Sequence, residues 1–234
     1  MRYRSAETLV CSFRRTMPGI RAVVFDLDGT LVRYQGVEFE SSWGAIAAGA
    51  GVSEASRALL AEYLPRRDAY PEWVARDAAL LKGVPLAQVA AHLFPAPYAE
   101  GVPNAIDRLR SRYLLGILSS GVDVVADWVR DDLGLDFALA NHLEIVDGRF
   151  TGRSETRVGL WDKRKAFCAL LDEHELTPSA VCYVGDHVND IPVMELAGLA
   201  IAANPKDQRL VDLCDHVIED FSALPALIDA FSPA

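Results

Sequence analysis

The stretch RAVVFDLDGTLV, Arg21 to Val32, sets two carboxylates, Asp26 and Asp28, one residue apart at the end of an apolar run. Ala22 to Phe25 are strand formers without alternation, which reads as a strand buried on both faces of a parallel sheet. Asp28 and Gly29 alone would pass for a turn, because Asp-Gly commonly ends a strand. Asp26 does not fit a turn: it extends the run, and each carboxylate raises the cost of ionising the other. Parallel sheets bind ligands at their strand ends, so the pair is a candidate site if the rest of the chain supplies companions.

Downstream, residues 34–98 hold helical stretches and no convincing strand: SSWGAIAAGA, SEASRALLAEYL, PEWVARDAALLKG and PLAQVAAHLF. Ser or Pro suits a helix start, Gly83 a stop, and the Pro-rich FPAPYAEGVP a linker. From Val102 helices alternate with strands: a helix over 102–112, the strand LLGIL, a helix over 123–132, and a hairpin in LEIVDGRFTG turning at Asp147-Gly148. A helix across KRKAFCALLDEH, the strand VCYVG, a helix near 191–197 and the strand GLAIAA follow. This predicts an α/β fold, a Rossmann-like parallel sheet core with an inserted α-helical cap directly after the first strand. The expected division is an N-terminal extension over 1–16, a core over 17–33 and 99–234, and the cap over 34–98. Met17 offers an alternative start of translation.

The composition is that of a globular protein with a sizeable core: 234 residues, 51% hydrophobic and 24% charged. A net charge of −10 disfavours nucleic acid or an anionic membrane as a standing partner. An anionic substrate then needs a local source of positive charge, and a metal ion is the obvious one. Cys11, Cys168, Cys182 and Cys214 have no paired spacing and read as reduced core thiols, hence a cytoplasmic protein. No apolar run is long enough to span a bilayer or to serve as a signal peptide.

Three predicted strands end in polar clusters: VVFDLD, GILSSG and CYVGDHVND. Strand ends of one parallel sheet share an edge, which gathers Asp26, Asp28, Ser119, Asp186 and Asp190 into one pocket. Carboxylates in that number suit Mg²⁺, which takes few protein ligands and completes its shell with water and substrate oxygens. A bound dication also makes adjacent ionised carboxylates tolerable.

These motifs, DLDGT, LSSG, a Lys ahead of the fourth core strand and GDHVND, occur in the order that marks the haloacid dehalogenase superfamily of phosphohydrolases. The chain resembles in particular the phosphoserine phosphatase-like branch with a helical cap after the first motif, over about residues 19–230. The resemblance implies a Mg²⁺-dependent phosphatase that hydrolyses a small phosphorylated metabolite through an aspartyl-phosphate intermediate. A phosphotransferase or phosphomutase using the same chemistry is the alternative; a non-catalytic phospho-receiver or binding module fits the length and the Asp-x-Asp pair less well.

It further implies roles. Asp26 is the nucleophile. Asp28 protonates the leaving oxygen and then takes a proton from water. Ser119, with the backbone N–H groups of Ser120 and Gly121, holds the phosphoryl oxygens. The motif lysine is Lys163 or Lys165 of DKRK, the family spacing favouring Lys163. Asp186 completes a metal site with Asp26 and the Asp28 carbonyl, and Asn189 and Asp190 support it from behind.

Phosphoserine enzymes of this branch hold their substrate's amino and carboxylate groups with a Glu after the first motif and an Arg in the cap. The matching positions here are Gln35 and Asp77, with Arg76 beside the second, so the expected substrate is not phosphoserine. The apolar cap, with Trp43, Tyr70 and Trp73, points instead to a sugar phosphate or a hydroxylated intermediate. His187 replaces a small residue of the family motif and is a further candidate substrate contact.

Overall fold

The computed structural model describes Gly19–Phe231. The expected extension over 1–16, the alternative start at Met17, Cys11 and the last residues of the expected core lie outside the described residues.

β1 (Ala22–Phe25) is wholly buried, as its unalternating β-branched and aromatic residues predict. It sits at the centre of a sheet with β2 (Leu114–Val122), β3 (Phe137–Val146), β4 (Arg149–Glu155), β5 (Val181–Gly185), β6 (Leu199–Ala203) and β7 (His216–Ile218). The order is β4-β3-β2-β1-β5-β6-β7, parallel throughout except for the antiparallel β3–β4 hairpin. Phe25 pairs with Ile117 on one side and Val184 on the other. That register brings the residues after β1, the second half of β2 and the residues after β5 to one edge.

β3 changes partners midway: Asn141 still pairs with β2, while His142 faces Glu155 of β4. Asp147 and Gly148 both adopt positive φ, 49° and 72°, as a two-residue hairpin turn requires. Successive side chains of β1 point to opposite faces, so Val23 and Phe25 join one apolar cluster and Ala22 and Val24 the other. α5 (Val102–Leu109), α6 (Asp123–Leu133) and α10 (Leu224–Phe231) cover the first face. α7 (Lys163–Glu173) and α8 (Ile191–Met194) cover the second, and α9 (Gln208–Leu213) precedes β7.

The insertion after β1 is helical: α1 (Ser42–Ala50), α2 (Ser53–Tyr63), α3 (Tyr70–Leu80) and α4 (Leu86–Leu93). Ser41 caps α1 by accepting from the Gly44 N–H, and Pro71 occupies the first turn of α3. The chain enters and leaves side by side: the Arg33 N–H donates to Pro97 O and the Ala99 N–H to Leu31 O, each at 2.9 Å. The far end docks on the hairpin, where Gly83 N–H meets Phe150 O at 2.8 Å.

Three features differ from the sequence reading. α9, β7 and α10 were not anticipated; β7 has three residues, too few to show a period. β2 runs past the expected LLGIL through the SSG segment to Val122, with a register shift between Leu118 and Val122. Of the described cysteines only Cys182 is a core thiol; Cys168 is exposed and Cys214 half-buried.

Candidate active site

Asp26 follows β1 directly and is 4% exposed. Its Oδ2 lies 2.9 Å from Lys163 Nζ, and its Oδ1 accepts the Leu27 N–H at 2.8 Å. Lys163, the first residue of α7, has no exposed surface and also reaches Asp190 Oδ1 at 2.6 Å. Lys165, two residues on, is exposed. Asp190 is saturated: it also accepts from Tyr183 Oη at 2.8 Å and from the N–H groups of Asp186 and His187 at 3.2 and 3.1 Å. It fixes the lysine and the loop after β5.

Burial pushes the Asp26 carboxyl above its usual range, Lys163 pulling back and Asp190 adding to the rise. Asp186 is driven well up by burial and then by Asp190 and Asp26. Burial works against the charge of Lys163, but Asp190 and Asp26 outweigh it and hold the ammonium above its ordinary range. One buried cation thus faces a cluster in which carboxylate oxygens of Asp26, Asp186 and Asp190 lie within 4.8 Å of one another. All-oxygen donors with excess negative charge fit a hard dication. Asp186 has one carboxylate oxygen accepting from Thr30 Oγ1 at 3.2 Å. Its other oxygen faces Gly29, where a Cβ would come within 2.2 Å and where φ is +81°, so only glycine lets the loop pass.

The Asp28 carboxylate turns away from this cluster. It accepts the N–H and the hydroxyl of Ser42, both at 2.7 Å, at the start of α1. Burial pushes it up to about 7, with Ser42 opposing and Asp26 reinforcing. A Cβ on Gly121 would lie 2.6 Å from its Oδ2, so glycine is what lets β2 approach. Ser119 is buried and accepts the Gly121 N–H at 3.1 Å. Neither serine caps α6, whose N-cap is Val122 with no side-chain bond. The Ser120 carbonyl receives Trp43 Nε1 at 3.2 Å, Tyr70 Oη at 2.8 Å and Asn141 Nδ2 at 2.8 Å. Two helices of the cap and one strand of the core therefore grip the same peptide.

Between the cap helices and this edge lies a cavity of about 830 Å³. Asp26, Asp28, Ser119, Ser120, Gly121 and Asp186 line its floor, and Trp43, Tyr70, Trp73 and Asp77 stand among its other walls. Asn189 and His187 also line it; the His187 Nδ1 lies 3.1 Å from Asn189 Oδ1. Two expected substrate contacts lie outside the cavity lining. Gln35 is exposed and outside the lining, and Arg76 is exposed, its guanidinium 3.8 Å from Glu72 one turn back on α3. Sequence reasoning assigned no role to Thr30, Ser42, Asn141 or Tyr183. Thr30 stood inside the quoted motif and Ser42 at a predicted helix start; Asn141 and Tyr183 carried no signal, being single polar groups within strands.

The family model for haloacid dehalogenase-like hydrolases matches residues 23–195, most of the chain and every acidic residue of the cluster. The chain belongs to the haloacid dehalogenase-like hydrolase family. Relatives in this family include the phosphoserine phosphatase of Archaeoglobus fulgidus, 30% identical over 200 residues, 85% of this chain and 56% of that protein. That of Methanocaldococcus jannaschii is 29% identical over 198 residues, 83% of this chain and 91% of its own length. The chain thus spans about half of the first relative and nearly all of the second. A structure described as a phospho-aspartyl intermediate analogue of phosphoserine phosphatase superposes with a TM-score of 0.72 at 27% identity, covering 89% of this chain and 99% of that one. Relatives and a superposed structure named phosphoserine phosphatase make this member of the family a phosphoric monoester hydrolase.

Proposed function

We propose that the protein is a Mg²⁺-dependent phosphatase for a small phosphorylated metabolite other than phosphoserine, working through an aspartyl-phosphate on Asp26. The observation that carries the reading is Lys163, a fully buried ammonium bridging Asp26 and Asp190. It neutralises the nucleophile without protonating it, leaving a carboxylate oxygen to attack phosphorus. As the Asp26–phosphorus bond forms and the ester bond breaks, Asp28 gives its proton to the departing oxygen. Asp28 then takes a proton from the water that attacks the acyl phosphate, releasing inorganic phosphate and restoring Asp26. Ser42 holds both carboxylate oxygens of Asp28 at the start of α1, where the residue lines the cavity. Ser119 and the N–H groups of Ser120 and Gly121 receive the phosphoryl oxygens.

Asp26 and Asp186, with the Asp28 main-chain carbonyl, would hold the Mg²⁺, and Asn189 and Asp190 would support it. The ion supplies positive charge to offset the phosphate in a strongly acidic site. Relatives named phosphoserine phosphatases support the reaction class. The departure in substrate rests on Asp77, whose carboxylate would repel that of phosphoserine, and on the absence of Gln35 and Arg76 from the cavity lining. The free thiols of Cys168, Cys182 and Cys214 support a reducing, cytoplasmic setting.

The test is phosphate release from a panel of phosphorylated metabolites with Mg²⁺, using the wild type and Asp26→Asn. The variant keeps the shape of the side chain but not its nucleophilicity, so turnover should fall at least about a thousandfold with the fold intact. Hydrolysis by Asp26→Asn near the wild-type rate would rule out the aspartyl-phosphate.

A further inference from the structure

Asp77 is the one charged group of the cavity that the proposed chemistry leaves unused and unmatched. It lies on α3, 8% exposed, and lines the cavity above the phosphate-binding floor. Ser56 Oγ donates to its Oδ1 at 2.9 Å. No Lys, Arg or His among the described residues pairs with it. The cations that share the cavity are engaged elsewhere: Arg57 with Glu38, Lys206 with Glu40, Arg209 with Asp207, and Arg67 over the Trp161 ring. Burial pushes the Asp77 carboxyl up to about 6, the Ser56 hydroxyl and the nearby Trp73 N–H pulling back, so it is ionised at neutral pH. A buried carboxylate is ordinarily paired, because leaving it alone in an apolar wall is costly.

The wall around it is suited to a cation rather than to a neutral hydroxyl. Trp43, Tyr70 and Trp73 line the same cavity, and the Tyr70 and Trp73 rings meet at 86° with centroids 5.9 Å apart, forming a corner. Aromatic faces attract an ammonium, and a carboxylate beside them supplies its counter-charge. Aromatic rings alone are equally compatible with a sugar or polyol phosphate. The unpaired carboxylate set among them decides against a neutral substrate.

We infer that the substrate is the phosphomonoester of an amino alcohol, its phosphate held at Asp26 and its protonated amine donating to Asp77 between Ser56 and the Trp43–Tyr70–Trp73 wall. This rests on the phosphatase reading and deepens it. It also gives Asp77 a positive reason to exclude phosphoserine, which carries a carboxylate next to its amine. Removing that carboxylate gives 2-aminoethyl phosphate, the simplest compound of the inferred class.

The experiment compares kcat/KM with Mg²⁺ for ω-aminoalkyl phosphates of increasing length, each against its ω-hydroxyalkyl isostere, and for phosphoserine against 2-aminoethyl phosphate. At the best chain length the amine should exceed its hydroxyl isostere by about tenfold or more, as expected for a charge-assisted bond replacing a neutral one. Asp77→Asn, which keeps an acceptor for Ser56, should bring that ratio close to one; because it is read within each variant, a general loss of activity cancels. Circular dichroism checks the variant's fold, and competitive inhibition of the wild type by amino alcohols against the matching diols probes the same contact without a variant. Equal rates for amines and hydroxyls, equal inhibition by both product classes, a ratio untouched by Asp77→Asn, or faster turnover of phosphoserine than of 2-aminoethyl phosphate would each overturn the inference. Release of phosphate from neutral esters alone leaves the phosphatase reading standing and removes only this one; no release from any ester removes both.

Discussion

A lysine with no exposed surface persists only where its ammonium is matched, and Lys163 is matched twice, at 2.9 Å by Asp26 and 2.6 Å by Asp190. Removing it strands two buried carboxylates whose charges then repel. Lys163→Met, similar in volume, should cost about 3–5 kcal/mol, the usual consequence of breaking a buried pair from one side. Urea denaturation measures it, and an unchanged midpoint would show that the pair contributes nothing to the fold. The sequence DKRK did not by itself distinguish Lys163 from Lys165, since both look like a solvated helix face. The resemblance chose between them by spacing; the structure adds that the first turn of α7 lies beneath the cluster while Lys165 faces solvent. A shift of one position on α3 had the same weight, placing Asp77 in the cavity and Arg76 out on the surface beside Glu72.

The elements with a clear local signal were legible: β1 by its unbroken apolar run, the cap helices and α7 by their helical patterns and the hairpin by its Asp-Gly turn all lie where the sequence placed them within a few residues. What was not legible is how one element holds another. Asn141 stands where β3 leaves β2 for β4, fully buried, and its Oδ1 accepts the N–H groups of Arg157 and Val158 at 2.9 and 3.0 Å. Its Nδ2 reaches Ser120 O and Tyr70 Oη, so it ties the strand switch, the Ser119–Gly121 segment and the cap together. Within a strand a lone asparagine has no periodicity to reveal it. Asn141→Ala orphans the buried Val158 N–H and the part-buried Arg157 N–H, and takes one of three bonds from the Ser120 carbonyl. At about 1–3 kcal/mol for an unsatisfied buried group, the expected loss is about 2–4 kcal/mol, read by urea unfolding, with KM for the phosphoester rising as the loop loosens. Asn141→Asp retains the acceptor and should recover part of the stability. If both variants unfold like wild type, the link is not structural.

At the scale of the molecule, a chain of net charge −10 concentrates Asp26, Asp28, Asp186 and Asp190 at the centre of its own sheet, and Lys163 is the one buried cation among the described residues. Folding without a dication therefore proceeds against this charge, and the raised carboxyl of Asp186 shows its direction. A carboxyl whose folded pKa exceeds its unfolded value stabilises the native state only at low pH. That contribution is lost as pH rises through the folded pKa, so at neutral pH the charge of Asp186 works against the metal-free fold. On the proposed reading Mg²⁺ would reverse the sign, binding the native cluster and not the unfolded chain. A concentration about a hundred times its dissociation constant should add about 2.7 kcal/mol. For a domain of this size that is a rise of about 5–10 °C in Tm. Sodium chloride at equal ionic strength should give far less, because screening acts weakly on buried charges. Asp186→Asn keeps an acceptor for Thr30 while deleting one of the repelling charges. It should melt above the wild type in chelator and show no response to Mg²⁺, so that the two curves cross as the metal is titrated. A variant that melts lower than wild type in chelator would mean that Lys163 already balances the cluster, and a variant that still responds to Mg²⁺ would place the ion elsewhere.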